Sequence, residues 1–153
     1  MRDLPRITVI MGIYNCADTL VEALKSLESQ TYKNFKVVLC DDGSKDDTLQ
    51  VALRWAEEHP NYLVIQNEHN IKLAATLNHC LGYVDTEYVA RMDGDDISLP
   101  TRFEKEIAFL DAHPEFAFVS TPMAHFDERG IWREGKAIEY PQNCDFKDCA
   151  PFC

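Results

Sequence analysis

Two short acidic runs carry the chemistry that this sequence offers, Asp41-Asp42-Gly43-Ser44 and Asp93-Gly94-Asp95-Asp96. Ionised carboxylates only accept hydrogen bonds, and several gathered in one place repel one another unless a proton or a cation relieves the charge. A divalent metal with oxygen ligands is the usual relief. Taken singly, the first run reads equally well as a turn leading into a helix cap, and the second as an acidic loop before a helix opened by Pro100. Their meaning turns on whether the fold brings them to one edge.

The elements that must position them alternate between strand and helix. Ile7 to Ile13 is a nearly continuous apolar run rich in β-branched residues, the pattern of a strand buried on both faces of a parallel sheet. Asp18 is expected to cap a helix with Leu20, Ala23, Leu24 and Leu27 inward, ending near Gln30. Phe35 to Cys40 is the second strand, and Ser44 to Asp47 open a helix with Leu49, Ala52, Leu53 and Ala56 on one face. His59-Pro60 stops it. Tyr62 to Gln66 is the third strand, Leu73 to Leu81 the third helix, and Tyr88 to Met92 the fourth strand. This predicts an α/β fold, a mostly parallel sheet flanked by helices with right-handed crossovers. Ligands of such sheets bind outside the carboxyl ends of the strands. Those ends deliver Gly12 to Asn15, Asp41 to Ser44, Asn67 to Asn70 and Asp93 to Asp96, so both acidic runs fall on the same edge.

Further on, Pro100 and Thr101 open a helix with Phe103, Ile107 and Leu110 inward, closed by His113-Pro114. Phe116 to Ser120 is expected as a fifth strand, and a turn over Asp127 to Gly130 joins short strands around Met123 to Phe126 and Ile131 to Arg133. Beyond Gly135 the periodicity fades. The 153 residues suffice for one well-buried domain, since a chain of this size buries on the order of 70% of its unfolded surface. Asp and Glu total 26 against 15 Lys and Arg, a net charge of −11, and no basic stripe is present, which argues against nucleic acid as a partner. No window approaches the roughly 18 apolar residues of a membrane span. With no signal-like start, the expected location is cytoplasmic, at the inner face of a membrane if other segments or partners bring it there. Cys16, Cys40 and Cys80 are expected inside elements as reduced thiols, and Cys144, Cys149 and Cys153 lack metal-ligand spacing. Trp55 and Trp132 read as packing residues.

Four stretches, in order and spacing, resemble the family 2 inverting glycosyltransferases of GT-A fold: Thr8-Val9-Ile10 to Tyr14-Asn15, Ser29 to Phe35, Asp41 to Thr48, and Arg91 to Asp96. The resemblance covers about Ile7 to Ser120. It implies a GT-A, Rossmann-like sheet and transfer of a sugar from a nucleoside-diphosphate sugar, a UDP-sugar first of all, to a glycan or lipid-linked acceptor with inversion. By resemblance the loop from Gly12 to Tyr14 touches the nucleotide base and Asp42 accepts hydrogen bonds from it. Asp93-Gly94-Asp95 matches the Asp-x-Asp motif, in which Asp93 approaches the ribose and Asp95, with Asp93, holds Mg²⁺ or Mn²⁺ on the diphosphate. Lys72 stands where the family usually has glycine; counted with the donor-binding residues, it either reaches a phosphate or is a solvated side chain at a helix start. An acidic protein without a basic pocket needs such a cation to neutralise a leaving diphosphate.

The acceptor base is not assigned. Inverting transfer needs a carboxylate to deprotonate the acceptor hydroxyl, and the family's Glu-Asp type motif is absent; Asp127, Glu128, Glu134 and Glu139 follow the fifth strand without a matching context. The chain is therefore expected as one domain over 1–153, a donor-binding portion at about 7–120 cut short of a full catalyst. The alternative is a truncated domain that binds nucleotide and metal without turnover. Other acidic-loop families fit less well. A dehalogenase-type nucleophile or a receiver-domain pocket needs its acids after the first strand, and an EF-hand loop needs glycine where Ser98 stands and is broken by Pro100.

Overall fold

The computed structural model describes residues 4–127 and 129–134. The chain clusters into two compact units, Met1–Ala108 and Phe109–Cys153, with the boundary inside a helix.

The first unit holds β1 (Ile7–Ile13), α1 (Ala17–Glu28), β2 (Phe35–Asp41), α2 (Thr48–Glu58), β3 (Tyr62–Gln66), α3 (Leu73–Leu81), β4 (Tyr88–Arg91) and most of α4 (Arg102–Ala112). Its four strands are all parallel, in the order β3-β2-β1-β4. Residues alternate between the two faces of the sheet, as the pleat requires. Val9, Met11, Ile13, Val37 and Leu39 join a core with Leu20, Ala23, Leu24 and Leu27 of α1, Ala52 of α2, and Phe103 and Ile107 of α4. Ile10, Val38 and Cys40 face the other way and pack with Cys80 and Leu77 of α3. Both faces of β1 and β2 are thus covered, which is why their sequences are apolar almost without interruption.

Several local expectations change. Helix α1 starts at Ala17, one residue before the expected cap Asp18, and the Ala17 N–H is taken by Asp46 Oδ2 from the neighbouring loop at 3.2 Å. The inward stripe of α2 is Thr48, Val51, Ala52, Trp55 and Ala56, leaving Leu53 47% exposed. The broad Trp55 ring draws the helix round: it packs on the core, stacks on His59 at 4.2 Å and meets Tyr62 edge-on at 6.2 Å. Cys40 and Cys80 are buried, but Cys16 is only half-buried, at the start of α1 rather than inside an element.

In the second unit β5 (Ala124–Asp127) and β6 (Gly130–Glu134) form an antiparallel hairpin whose turn places Gly130 at φ +111°. The strand expected over Phe116 to Ser120 does not form. Phe116 N–H closes a turn on His113 O at 3.1 Å, its ring packs on Phe109, and Phe118 is 69% exposed. A short apolar run becomes a strand only where a neighbour completes its ladder, and none does so among the described residues. No helix among the described residues is long and apolar enough to cross a membrane.

Candidate functional site

At the carboxyl ends of the four strands lies a cleft of about 670 Å³, lined by loops following β1, β2 and β4 and by the start of α3. Gly12, Tyr14, Asp42, Lys72, Asp93, Gly94 and Asp95 all line it, so the residues that the resemblance assigns to donor and metal lie in one place, while Ser44 and Asp96 of the two acidic runs do not line it. Asp41 is not on this wall. It is fully buried, and its Oδ2 accepts the Ser44 N–H at 3.2 Å in a side-chain turn, whereas Asp42 faces the cleft.

The loops approach one another closely because glycines face their neighbours. A Cβ on Gly12 would lie 3.0 Å from Leu73 Cδ1 and 3.3 Å from Thr76 Cγ2, so its bare backbone lets α3 close against the end of β1. A Cβ on Gly94 would lie 2.8 Å from Cys16 Sγ and 3.2 Å from Ile13 Cγ2, which no real side chain tolerates unmoved. Gly43 has φ +72° and backs onto the His69 and Asn70 backbone within about 3 Å, a position glycine alone occupies without strain.

Hydrogen bonds lace the same loops together. Asn15 N–H donates to Ser44 Oγ at 3.0 Å and Asn15 Oδ1 accepts Lys45 N–H at 2.8 Å; Cys16 N–H donates to Thr48 Oγ1 at 2.8 Å. Asp46 caps two helices at once, Oδ2 on Ala17 N–H and Oδ1 on Thr48 N–H at 3.0 Å, and these bonds, those from Thr48 foremost, hold its carboxyl below the usual range. Thr19 Oγ1 donates to Gly94 O at 3.0 Å, pinning the fourth loop to α1.

Asp42 is only 4% exposed and is the most strongly held acid of the cleft. Its Oδ1 accepts Asn67 Nδ2 at 2.9 Å and Ile71 N–H at 2.8 Å, and its Oδ2 accepts Lys72 N–H at 3.0 Å. Burial by itself raises its pKa, but the donors, Ile71 N–H first among them, outweigh it and the net shift is downward. The group is an ionised, fixed acceptor. Asn67 was not singled out from the sequence. Its position one residue past β3, at the strand end expected to meet a ligand, was the available signal; it also donates to Thr76 Oγ1 at 3.0 Å and meets His79 Nδ1 at 2.8 Å.

The second acidic run is arranged differently. Arg91 Nη2 reaches both oxygens of Asp93, at 2.9 and 2.8 Å, so Asp93 is neutralised within the protein while Asp95 faces the cleft with no such partner among the described residues. Burial, then the charges of Asp93 and Asp95, push the Asp96 carboxyl up. The run is positioned from behind by Gln30, fully buried, whose Nε2 donates to Ser98 O, Ser98 Oγ and Leu99 O at 3.2, 3.1 and 2.8 Å. Gln30 Oε1 accepts Phe103 N–H at 3.1 Å, and Ser26 Oγ accepts Ser98 N–H at 2.9 Å. Gln30 too went unnoticed as a site residue.

Among the described residues no three acids, histidines or cysteines stand close enough to hold a metal by themselves. That donor set still fits Mg²⁺ or Mn²⁺, since such ions are commonly held by one or two carboxylates with the substrate's phosphates and water completing the shell. Burial, foremost, raises the pKa of the half-buried Cys16 thiol above its ordinary value. Of the acids considered as a base, Asp127 is paired with Arg129 in the hairpin, with Nη2 to Oδ2 at 2.6 Å. Glu128 and Glu139, the terminal cysteines, and the side chains of Trp132 and Glu134 lie outside the described residues.

The chain is similar to several known proteins. EpsE of Bacillus subtilis, whose name ascribes it glycosyltransferase activity, is 44% identical over 154 residues, covering all of this chain and 55% of EpsE. The amylovoran biosynthesis glycosyltransferase AmsE of Erwinia amylovora is 38% identical over 126 residues, 80% of this chain and 47% of AmsE. The chain thus spans about half the length of these relatives. Of solved structures, TarS residues 1–349 of S. aureus in complex with UDP-GlcNAc superposes with a TM-score of 0.66 at 31% identity, over 71% of this chain and 32% of that one. The mannosyltransferase PcManGT of Pyrobaculum calidifontis, in complex with GDP-Man and Mn²⁺, gives 0.64 at 30% identity over 71% and 33%. These neighbours share the mostly parallel, helix-flanked sheet of the GT-A fold. The model of glycosyl transferase family 2 matches residues 8–150, and with the acidic cleft at the strand ends this chain belongs to that family.

Proposed function

We propose that the cleft binds a nucleoside-diphosphate sugar, a UDP-sugar first of all, and that the whole protein transfers its sugar to a glycan or lipid-linked acceptor with inversion. The observation that carries this reading is the convergence of a fixed, ionised Asp42 with Asp93-Gly94-Asp95 on one cleft at the strand ends. Asp42 accepts an N–H of the base, and Tyr14, 46% exposed at the rim, offers a ring face to it. Gly12 and Gly94 let ligand atoms approach the backbone, Asp93 faces the ribose, and Lys72 stands at the α3 side of the cleft. Similarity to proteins solved with UDP-GlcNAc and with GDP-Man and Mn²⁺ supports the donor class.

Asp95, with Asp93, would hold Mg²⁺ or Mn²⁺ against the donor's diphosphate, where the cation's chemistry is to neutralise charge growing on the leaving group. Arg91 restrains Asp93, so Asp95 is the side chain free to turn toward a diphosphate. No base is assigned for the acceptor hydroxyl. The work takes place in the cytoplasm, at the inner membrane face where the acceptor is lipid-linked.

Calorimetric titration of UDP, GDP and dTDP, each with Mn²⁺ and with EDTA, tests the reading. Metal-enhanced binding of UDP is expected; heat-silent titrations of all three in Mn²⁺ would reject it. Donor hydrolysis and transfer assays on the same chain then separate an enzyme from a non-catalytic binder.

A further inference from the structure

Lys72 adopts φ +75° and ψ 155°, a backbone region that is essentially glycine's own. A side chain there costs stability, and the conformation itself has a plain use: it turns the residue 72 N–H onto Asp42 Oδ2 at 3.0 Å and Asn70 Oδ1 at 3.2 Å. Glycine would make both bonds without strain. The backbone task therefore does not account for a lysine.

The side chain's surroundings do. Lys72 is the one basic residue among the described residues lining the cleft, which is otherwise walled by Asp18, Asp42, Asp46, Asp93 and Asp95. Despite those five acids, its ammonium makes no hydrogen bond or ion pair among the described residues; only its backbone is engaged. A strained, exposed cation left unpaired in an acidic cleft is set for a ligand anion rather than for the protein. The start of α3 immediately follows it and adds the favourable end of a nine-residue helix dipole.

We propose that the Lys72 ammonium binds a phosphate oxygen of the donor's diphosphate, independently of the metal, and that this contact is what keeps a lysine in a glycine conformation. The inference rests on the nucleotide-sugar reading above, and names the residue that meets the donor's charge when no cation is present.

The test compares the full chain with Lys72→Gly and Lys72→Ala. Lys72→Ala removes the charge and keeps the strain; Lys72→Gly removes both. UDP and uridine are titrated by NMR and calorimetry, in EDTA and in Mn²⁺, and melting is followed by calorimetry without ligand. UDP affinity in EDTA is expected to fall about tenfold or more in both variants, the size of a lost charge-assisted contact, with uridine affinity unchanged. Lys72→Gly alone should melt about 2 to 4 °C higher, about 1 kcal/mol of relieved strain in a chain of this size. Equal UDP affinity across the three proteins, or a parallel loss for uridine, overturns the phosphate contact. An unshifted melt of Lys72→Gly overturns the strain argument. If the unaltered chain binds no UDP even with Mn²⁺, the nucleotide-sugar reading itself has failed, a result distinguishable from failure at Lys72 alone.

Discussion

Asn67 and Asp42 are joined by a 2.9 Å hydrogen bond from Nδ2 to Oδ1, both side chains being almost wholly buried at the floor of the cleft. Asn67→Ala removes a donor from a buried carboxylate and should cost about 1 to 3 kcal/mol in urea unfolding, with weaker UDP binding. Asp42's folded-state pKa lies below its unfolded one, so its contribution to stability is present above the ordinary aspartate range and is lost as pH falls from that range through the lower folded-state pKa. The variant should therefore lose less stability on acidification than the parent. Identical acid limbs for the two proteins would show that Asn67 does not set this carboxylate.

Asp95→Ala should abolish the Mn²⁺-dependent part of UDP binding and leave the melting temperature within about 1 °C of the parent, because the side chain is exposed and makes no hydrogen bond or ion pair among the described residues. Persistence of metal-enhanced binding in the variant would move the metal elsewhere.

Gln30→Leu should be among the most damaging single changes outside the apolar core. It leaves Ser98 O, Leu99 O and Phe103 N–H without their partner in a buried setting, a loss of about 2 to 4 kcal/mol. Because those groups anchor the loop after β4, UDP affinity with Mn²⁺ should fall as well. A variant with parental stability and affinity would refute the anchoring role.

Gly94→Ala drives a methyl against Cys16 Sγ and Ile13 Cγ2, an overpacking of about 1 to 3 kcal/mol. Cys16→Ala should relieve part of it, since the sulfur is the nearest atom. A double-mutant cycle measures this: additive losses would mean that the two loops do not meet as described.

Several elements were legible from residue types and their spacing. Ile7 to Ile13, Tyr62 to Gln66 and Leu73 to Leu81 have in the structure the bounds that periodicity predicts. The acidic cleft was legible for a topological reason, because parallel strands deliver their following loops to one edge. What escaped depends on distant partners. Phe116 to Ser120 has strand-like residues but no neighbouring strand among those described, and Leu53 lost its inward place to Trp55. Gln30 and Asn67 look like ordinary polar residues until the fold buries them beside carbonyls and a carboxylate some 70 and 25 positions away. The glycine conformation of Lys72 has no signature in the lysine itself; its one signal was the resemblance, in which glycine usually stands at that position.

The three glycine contacts divide the cleft into two parts with different freedom to change. Gly43 meets the backbone of the loop after β3, while Gly12 meets the Leu73 and Thr76 side chains of α3 and Gly94 those of Cys16 and Ile13. A side chain at any of the three forces a neighbour to shift, and at Gly43 that neighbour is backbone. Tyr14 and Lys72 stand exposed at the rim, where replacement disturbs no loop junction. On the nucleotide-sugar reading, the residue that faces the base, Tyr14, can therefore change while the floor, and the acids it holds, stay as they are.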